Sequence, residues 1–120
     1  MEYPLGSFRA YCNRVVDGDT FDLHVDVGFH TAINTRFRLL GYDTPELRSH
    51  DPVERALALS AKDFVDAAIG PVPESGWNLR IETKKDPDGF GRWLCRVFYT
   101  VDGLGEMCLG DVLHANGWRE

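Results

Sequence analysis

At 120 residues the chain has the length of one ordinary domain, enough for one hydrophobic core and too little for two. Its 43% hydrophobic, 12% aromatic and 27% charged residues exclude a disordered tract or a fibre, and its apolar runs fall far short of the roughly 20 residues of a membrane-spanning helix. A formal net charge of −6 excludes a coat protein that holds nucleic acid by charge neutralisation alone, while leaving room for an enzyme that collects carboxylates around a divalent cation.

The opening Met1-Glu2-Tyr3-Pro4-Leu5-Gly6 has neither the basic nor the apolar region of an export signal, so an intracellular protein is expected. From Phe8 to Val16 aromatic and β-branched residues indicate a first strand, and Asp17-Gly18-Asp19 supplies a hairpin turn. Beyond it Phe21, Leu23, Val25 and Val27 alternate with Asp22, His24 and Asp26, the period-two pattern of a half-buried strand. A third strand over 30–40 puts Ile33, Thr35, Phe37 and Leu39 on one face. Asn34, Arg36, Arg38 and Leu40 share the other, so Arg36 and Arg38 are neighbours.

Asp51-Pro52-Val53-Glu54 reads as a helix start, with Asp as N-cap, Pro first and Glu three residues after the cap. The helix is expected to reach Ile69, burying Val53, Leu57, Ala61, Phe64 and Ala68, and to stop at Gly70-Pro71. Strands over 79–85 and 92–101 flank the turn Asp86-Pro87-Asp88-Gly89-Phe90-Gly91, and a short helix carries Leu109, Val112 and Leu113. Three strands, a helix, two strands and a helix make an α+β chain, mainly β, that matches a five-stranded Greek-key barrel of the OB type. A split sheet with helices on one face is the structural alternative.

Cys12, Cys95 and Cys108 are odd in number and far apart, which indicates buried or half-buried thiols rather than a disulfide framework or a zinc site. His24, His30, His50 and His114 lack metal-ligand spacing and read as surface or packing residues. Trp77, Trp93 and Trp118 are able to stack on bases, with core or rim packing the plainer reading. Arg80, Lys84, Lys85 and Arg96 form either a basic rim or the solvated face of two strands.

Three clusters carry the chemistry. Asp17-Gly18-Asp19-Thr20 is, alone, a hairpin turn. Arg38-Leu39-Leu40-Gly41-Tyr42-Asp43-Thr44-Pro45-Glu46 is, alone, a strand running into a polar loop, and Asp88-Gly89-Phe90-Gly91-Arg92 is another turn. In this order and spacing, the three together resemble the staphylococcal nuclease family across nearly the whole chain. The resemblance implies one OB-fold nuclease domain over 1–120 that hydrolyses DNA or RNA with calcium, or alternatively magnesium, as cofactor.

Carried over residue by residue, it implies a metal held by Asp19, Asp43 and the main-chain carbonyl of Thr44, with Asp17 in its outer shell. Glu46 becomes the general base, and Arg38 and Arg92 grip the phosphate. Lys84, Lys85 and Phe90 become possible substrate contacts. Phe90 stands where the staphylococcal enzyme has a tyrosine, which implies one phosphate contact fewer, and the long last helix of that enzyme has no counterpart here. Independently of any family, two arginines, a hard cation and a carboxylate base suffice to offset charge, fix geometry and activate water at a phosphodiester. The alternative is a non-catalytic OB-fold module that binds nucleic acid or protein. The presence of Asp19, Arg38, Asp43, Glu46 and Arg92 together favours the enzyme.

Overall fold

The computed structural model describes residues 6–40, 45, 47–85 and 93–117. Strands β1 (Gly6–Asp17), β2 (Thr20–Gly28) and β3 (Thr31–Leu39) precede helix α1 (Pro52–Ile69). Strands β4 (Leu79–Lys85), β5 (Trp93–Val101) and β6 (Gly105–Cys108) and helix α2 (Leu109–Ala115) follow. The strands lie in the order β3-β2-β1-β4-β5-β6, so β4 returns beside β1 as in a Greek key, and a further pairing of β3 with β5 closes five strands into a barrel. The result is the α+β barrel with two helices that the element order implies. β6 is an addition to that expectation, a four-residue strand paired with Phe98–Val101 of β5, beyond the stretch of β5 that pairs with β3.

β2 keeps its alternation, with Phe21, Leu23 and Val25 buried. β1 does not. Its register against β2 skips a residue between Cys12 and Arg14 and again between Val15 and Asp17. The first bulge moves the buried positions from Ala10 and Cys12 to Val15, and such bulges bend a strand and sharpen its twist. β1 therefore serves two neighbours, β4 through residues 6–10 and β2 through residues 9–17.

α1 begins where its capping signals place it. The Asp51 carboxylate accepts the Val53 N–H at 2.9 Å. Glu54 does not reach back to the cap directly; Ser49 bridges, accepting the Asp51 N–H at 3.1 Å and donating to Glu54 Oε2 at 2.7 Å. At the far end the Gly70 N–H bonds the Asp66 carbonyl at 3.0 Å, and a Cβ at Gly70 would come within 2.8 Å of that oxygen, which explains the glycine.

The buried face of α1 differs from the expected stripe. Ala58, Ala61, Val65 and Ile69 are buried, Phe64 and Ala68 pack at the margin, and Val53 and Leu57 are exposed. With 3.6 residues per turn, the helix is rotated roughly a quarter turn from the Val53–Ala68 stripe. The two small residues Ala58 and Ala61 face inward, and only the second half of the helix contributes large side chains to the core. Val65 and Ile69 join Phe21, Leu23, Ile81 and Val97 in one cluster that Leu109 and Leu113 of α2 complete.

Candidate active site

The candidate site grows from the β1–β2 turn. Asp17 pairs with Thr20, so Gly18 and Asp19 are the two turn residues. The Asp19 carbonyl accepts the Leu39 N–H at 2.8 Å, extending the β2–β3 ladder one step past the rung in which Thr20 faces Arg38. The turn is thus tied to the end of β3 by backbone, and the position of Asp19 relative to Arg38 is fixed by the sheet rather than by flexible side chains.

Asp19 is 8% exposed and is the buried charged residue among those described. A carboxylate removed from water needs hydrogen bonds or opposite charge nearby. The Thr20 hydroxyl donates to Asp19 Oδ1 at 3.1 Å, and Arg38 Nη2 stands 3.9 Å from Asp19 Oδ2. That separation exceeds the about 2.7–2.9 Å of a charge-assisted hydrogen bond, so this relation is mainly Coulombic.

Two rungs away, on the same face, Arg36 and Asp22 form the ordinary pair, Nε to Oδ1 at 2.8 Å and Nη2 to Oδ2 at 3.2 Å. The hydrogen bond from Arg36 lowers the Asp22 carboxyl below its usual range. Arg36 and Arg38 share a face as their spacing requires, and only Arg38 reaches the buried carboxylate.

β3 and β5 run parallel, with Phe37 beside Trp93, Arg38 beside Leu94 and Leu39 beside Cys95, and the Leu40 N–H bonds the Cys95 carbonyl at 2.8 Å. Across β5, Leu94 faces Lys84 and Trp93 faces Lys85. Thr20, Arg38, Leu94 and Lys84 therefore form one row over four strands, with Lys84 exposed at its end. In sequence Arg92 immediately precedes Trp93, and Asp43 follows Leu40 by three residues. Asp43, Thr44, Glu46, Phe90 and Arg92 lie outside the described residues.

Of the four cations read as rim or solvated face, Arg80 and Arg96 belong to an ion-pair ladder. Arg80 donates to both oxygens of Glu106, at 2.6 and 3.1 Å, and covers the Phe98 ring at 4.0 Å; Arg96 stands 3.8 Å from Glu82. The Cys12 and Cys95 thiols are inert by environment. Cys95 is fully buried, which pushes its pKa up, and burial raises that of Cys12 to about 11.

Two features escaped the residue patterns: the hydroxyl of Thr20 at the Asp19 carboxylate, and a group of rings on the outer face of β1 and β2. There Tyr11 and His24 are cross-strand partners with centroids 4.8 Å apart, and Trp77 lies 5.5 and 5.7 Å from them. The hairpin register counted from Gly18-Asp19 would have paired Tyr11 with His24 only if both bulges had been known.

Among the described residues no three His, Cys, Asp or Glu side chains gather as a metal cluster. The donor present at the turn is a buried carboxylate, a hard oxygen ligand whose chemistry fits calcium or magnesium rather than zinc. No model of a known family matches the chain, and no curated protein matches it either.

Proposed function

We propose that this protein is a metal-dependent phosphodiesterase of the staphylococcal nuclease type that hydrolyses DNA or RNA by in-line attack of an activated water. The observation that carries this reading is the backbone-fixed approach of Arg38 to the buried Asp19 carboxylate at the barrel rim. The three motifs support it by their sequence order, and the closed five-stranded barrel is the scaffold that the reading requires.

Asp19, with Asp43 and the Thr44 carbonyl, would hold a calcium or magnesium ion, with Asp17 behind them. The bound ion supplies Lewis acidity and positive charge at a phosphoryl oxygen. Glu46 takes a proton from the attacking water. Arg38 and Arg92 donate to the non-bridging oxygens, where charge gathers in the transition state, and their planar forks suit a phosphate better than the point charge of a lysine. Thr20 orients the Asp19 carboxylate through its hydroxyl. Lys84, at the end of the Arg38 row, is placed to attract a polyanion, with Lys85 and Phe90 as further contacts.

The deciding assay incubates plasmid, single-stranded DNA and RNA with calcium, with magnesium or with excess chelator. Cleavage with an added ion and none in chelator is the expected result, and Glu46→Gln is expected to slow turnover by roughly 10²–10⁴-fold while keeping the fold. Undiminished cleavage in chelator refutes the metal. Failure to cut any substrate with either ion returns the domain to a binding module.

A further inference from the structure

At the end of the β2–β3 hairpin remote from Asp19, Gly28 pairs with Thr31 across the two-residue turn Phe29-His30. Both turn residues have left-handed backbone, with φ of 56° and 58°. Turns of this kind favour Asn-Gly, and bulky residues there carry strain. Phe29 is 98% exposed, so burial of its ring offsets none of that cost. Beside it opens a cleft of about 500 Å³ lined by Arg9, His24, Asp26, Phe29, His30 and Trp77.

The cleft is a built surface. His24 and Trp77 lie nearly parallel, 9° apart, with Tyr11 against both. The Asn34 side-chain oxygen accepts the Asn13 amide at 3.0 Å and meets His24 Nδ1 at 2.8 Å, contacts that hold the imidazole in place. The Arg9 guanidinium lies 5.9 Å from the Trp77 centroid. The one carboxylate in the cleft is engaged internally: Asp26 accepts the Gly28 N–H at 2.9 Å and Arg9 Nη2 at 2.6 Å. Flat rings held in place and a projecting phenyl match a base that stacks, and the His30 imidazole with the Arg9 donors other than the one on Asp26 match a phosphate that follows it.

We infer that this cleft is a stacking subsite for single-stranded nucleic acid, on the same hairpin as the candidate active site. The inference rests on the proposed phosphodiesterase reading, because it is the polymeric substrate that gives a remote subsite its purpose. The nine residues of β2 put the two sites about 27 Å apart at ~3.4 Å per residue, a reach of several nucleotides along one face.

The test titrates a short labelled oligothymidylate with the protein in chelator, where no cutting is expected, and reads anisotropy and tryptophan fluorescence. Phe29→Asn is the informative variant, because Asn tolerates the left-handed region while the ring is lost. Its melting temperature is expected to rise while oligonucleotide affinity falls about tenfold, within the range for loss of one base–aromatic stack. Trp77→Ala is expected to lose a similar factor and Trp77→Phe to recover most of it.

With calcium, Phe29→Asn is expected to raise KM for the oligonucleotide and to leave hydrolysis of bis(p-nitrophenyl) phosphate unchanged. Binding that is sensitive to Phe29 without any cleavage upholds the subsite and refutes the activity. Cleavage with binding indifferent to both Phe29 and Trp77 refutes the subsite and upholds the activity. No binding of the oligonucleotide at all overturns the subsite and turns the face over to a protein partner.

Discussion

Two carboxylate–arginine pairs occupy adjacent places on one ladder, and they are built differently. Asp22 and Arg36 face each other in register, sit toward solvent, and close two hydrogen bonds. Asp19 and Arg38 are out of register by one position, because Thr20 takes the rung facing Arg38; the carboxylate is buried and the closest approach is 3.9 Å. The first pair is an ordinary cross-strand contact that contributes little because water and salt screen it. The second holds a negative and a positive group near each other at a spacing set by the backbone, as the proposed handling of a phosphate and a cation would require. Identical residue types one pleat apart thus differ in role through register and burial, not composition.

The sharpest break between the pairs is expected in activity. Arg38→Lys should lower turnover by roughly 10²–10³-fold, the cost of removing a donor aimed at developing charge, with melting temperature nearly unchanged. Arg36→Lys should stay within about twofold of wild type, since a screened surface pair is what it alters. Equal damage from both, measured as kcat on one oligonucleotide, would dissolve the distinction. A smaller contrast follows for the acids: Asp19→Asn is expected to abolish the response to added calcium, and Asp22→Asn to leave it intact, as read by cleavage against ion concentration.

The smallest effect concerns pH. Arg36 holds the folded-state pKa of Asp22 below its ordinary value, so the stabilisation is complete above the unfolded value near ~3.9 and is lost as pH falls through the folded one. Asp22→Asn should therefore be slightly less stable than wild type at neutral pH and converge with it in strong acid, by circular dichroism during acid titration. Asp26, held low by the Gly28 N–H and Arg9, and Glu106, held low by Arg80, titrate in the same sense.

What the sequence disclosed depended on how local the signal was. The cap of α1 was legible because Asp51, Pro52 and Glu54 act within one turn, and the inward face of β2 because nothing interrupts its alternation. The bulges of β1 were hidden, since Asn13-Arg14-Val15-Val16 has no glycine to betray an extra residue. The face of α1 was misread because Val53 and Leu57 extend the apolar stripe in sequence, whereas the small Ala58, one residue on, lies on the buried face with Ala61, Val65 and Ile69. β6 is four residues beginning in glycine, recruited by the edge of β5 rather than by its own propensity. At the candidate site, Arg38 and Asp19 were singled out by type and order, and the stand-off between them, which depends on Thr20 occupying the rung, could come only from the register. The aromatic group of Tyr11, His24 and Trp77 joins three segments and left no mark in any one of them.

The seam between β3 and β5 has a consequence for the order of assembly. It is the parallel junction of the sheet and spans three registered pairs, whereas β2 and β3 share eight. Its partners lie 56 residues apart along the chain, so closing it, like the still longer-range pairing of β1 with β4, carries a loop-entropy cost that the hairpins on either side, formed from near neighbours, do not. Arg38 sits on that seam. A chain with its hairpins folded and the seam open would show most of its native circular dichroism and yet bring no Leu94 beside Arg38. The amide of Leu40, which closes the seam on Cys95, is accordingly expected to exchange with deuterium ahead of Leu23 in the β2 interior, making ring closure itself observable at a single backbone hydrogen.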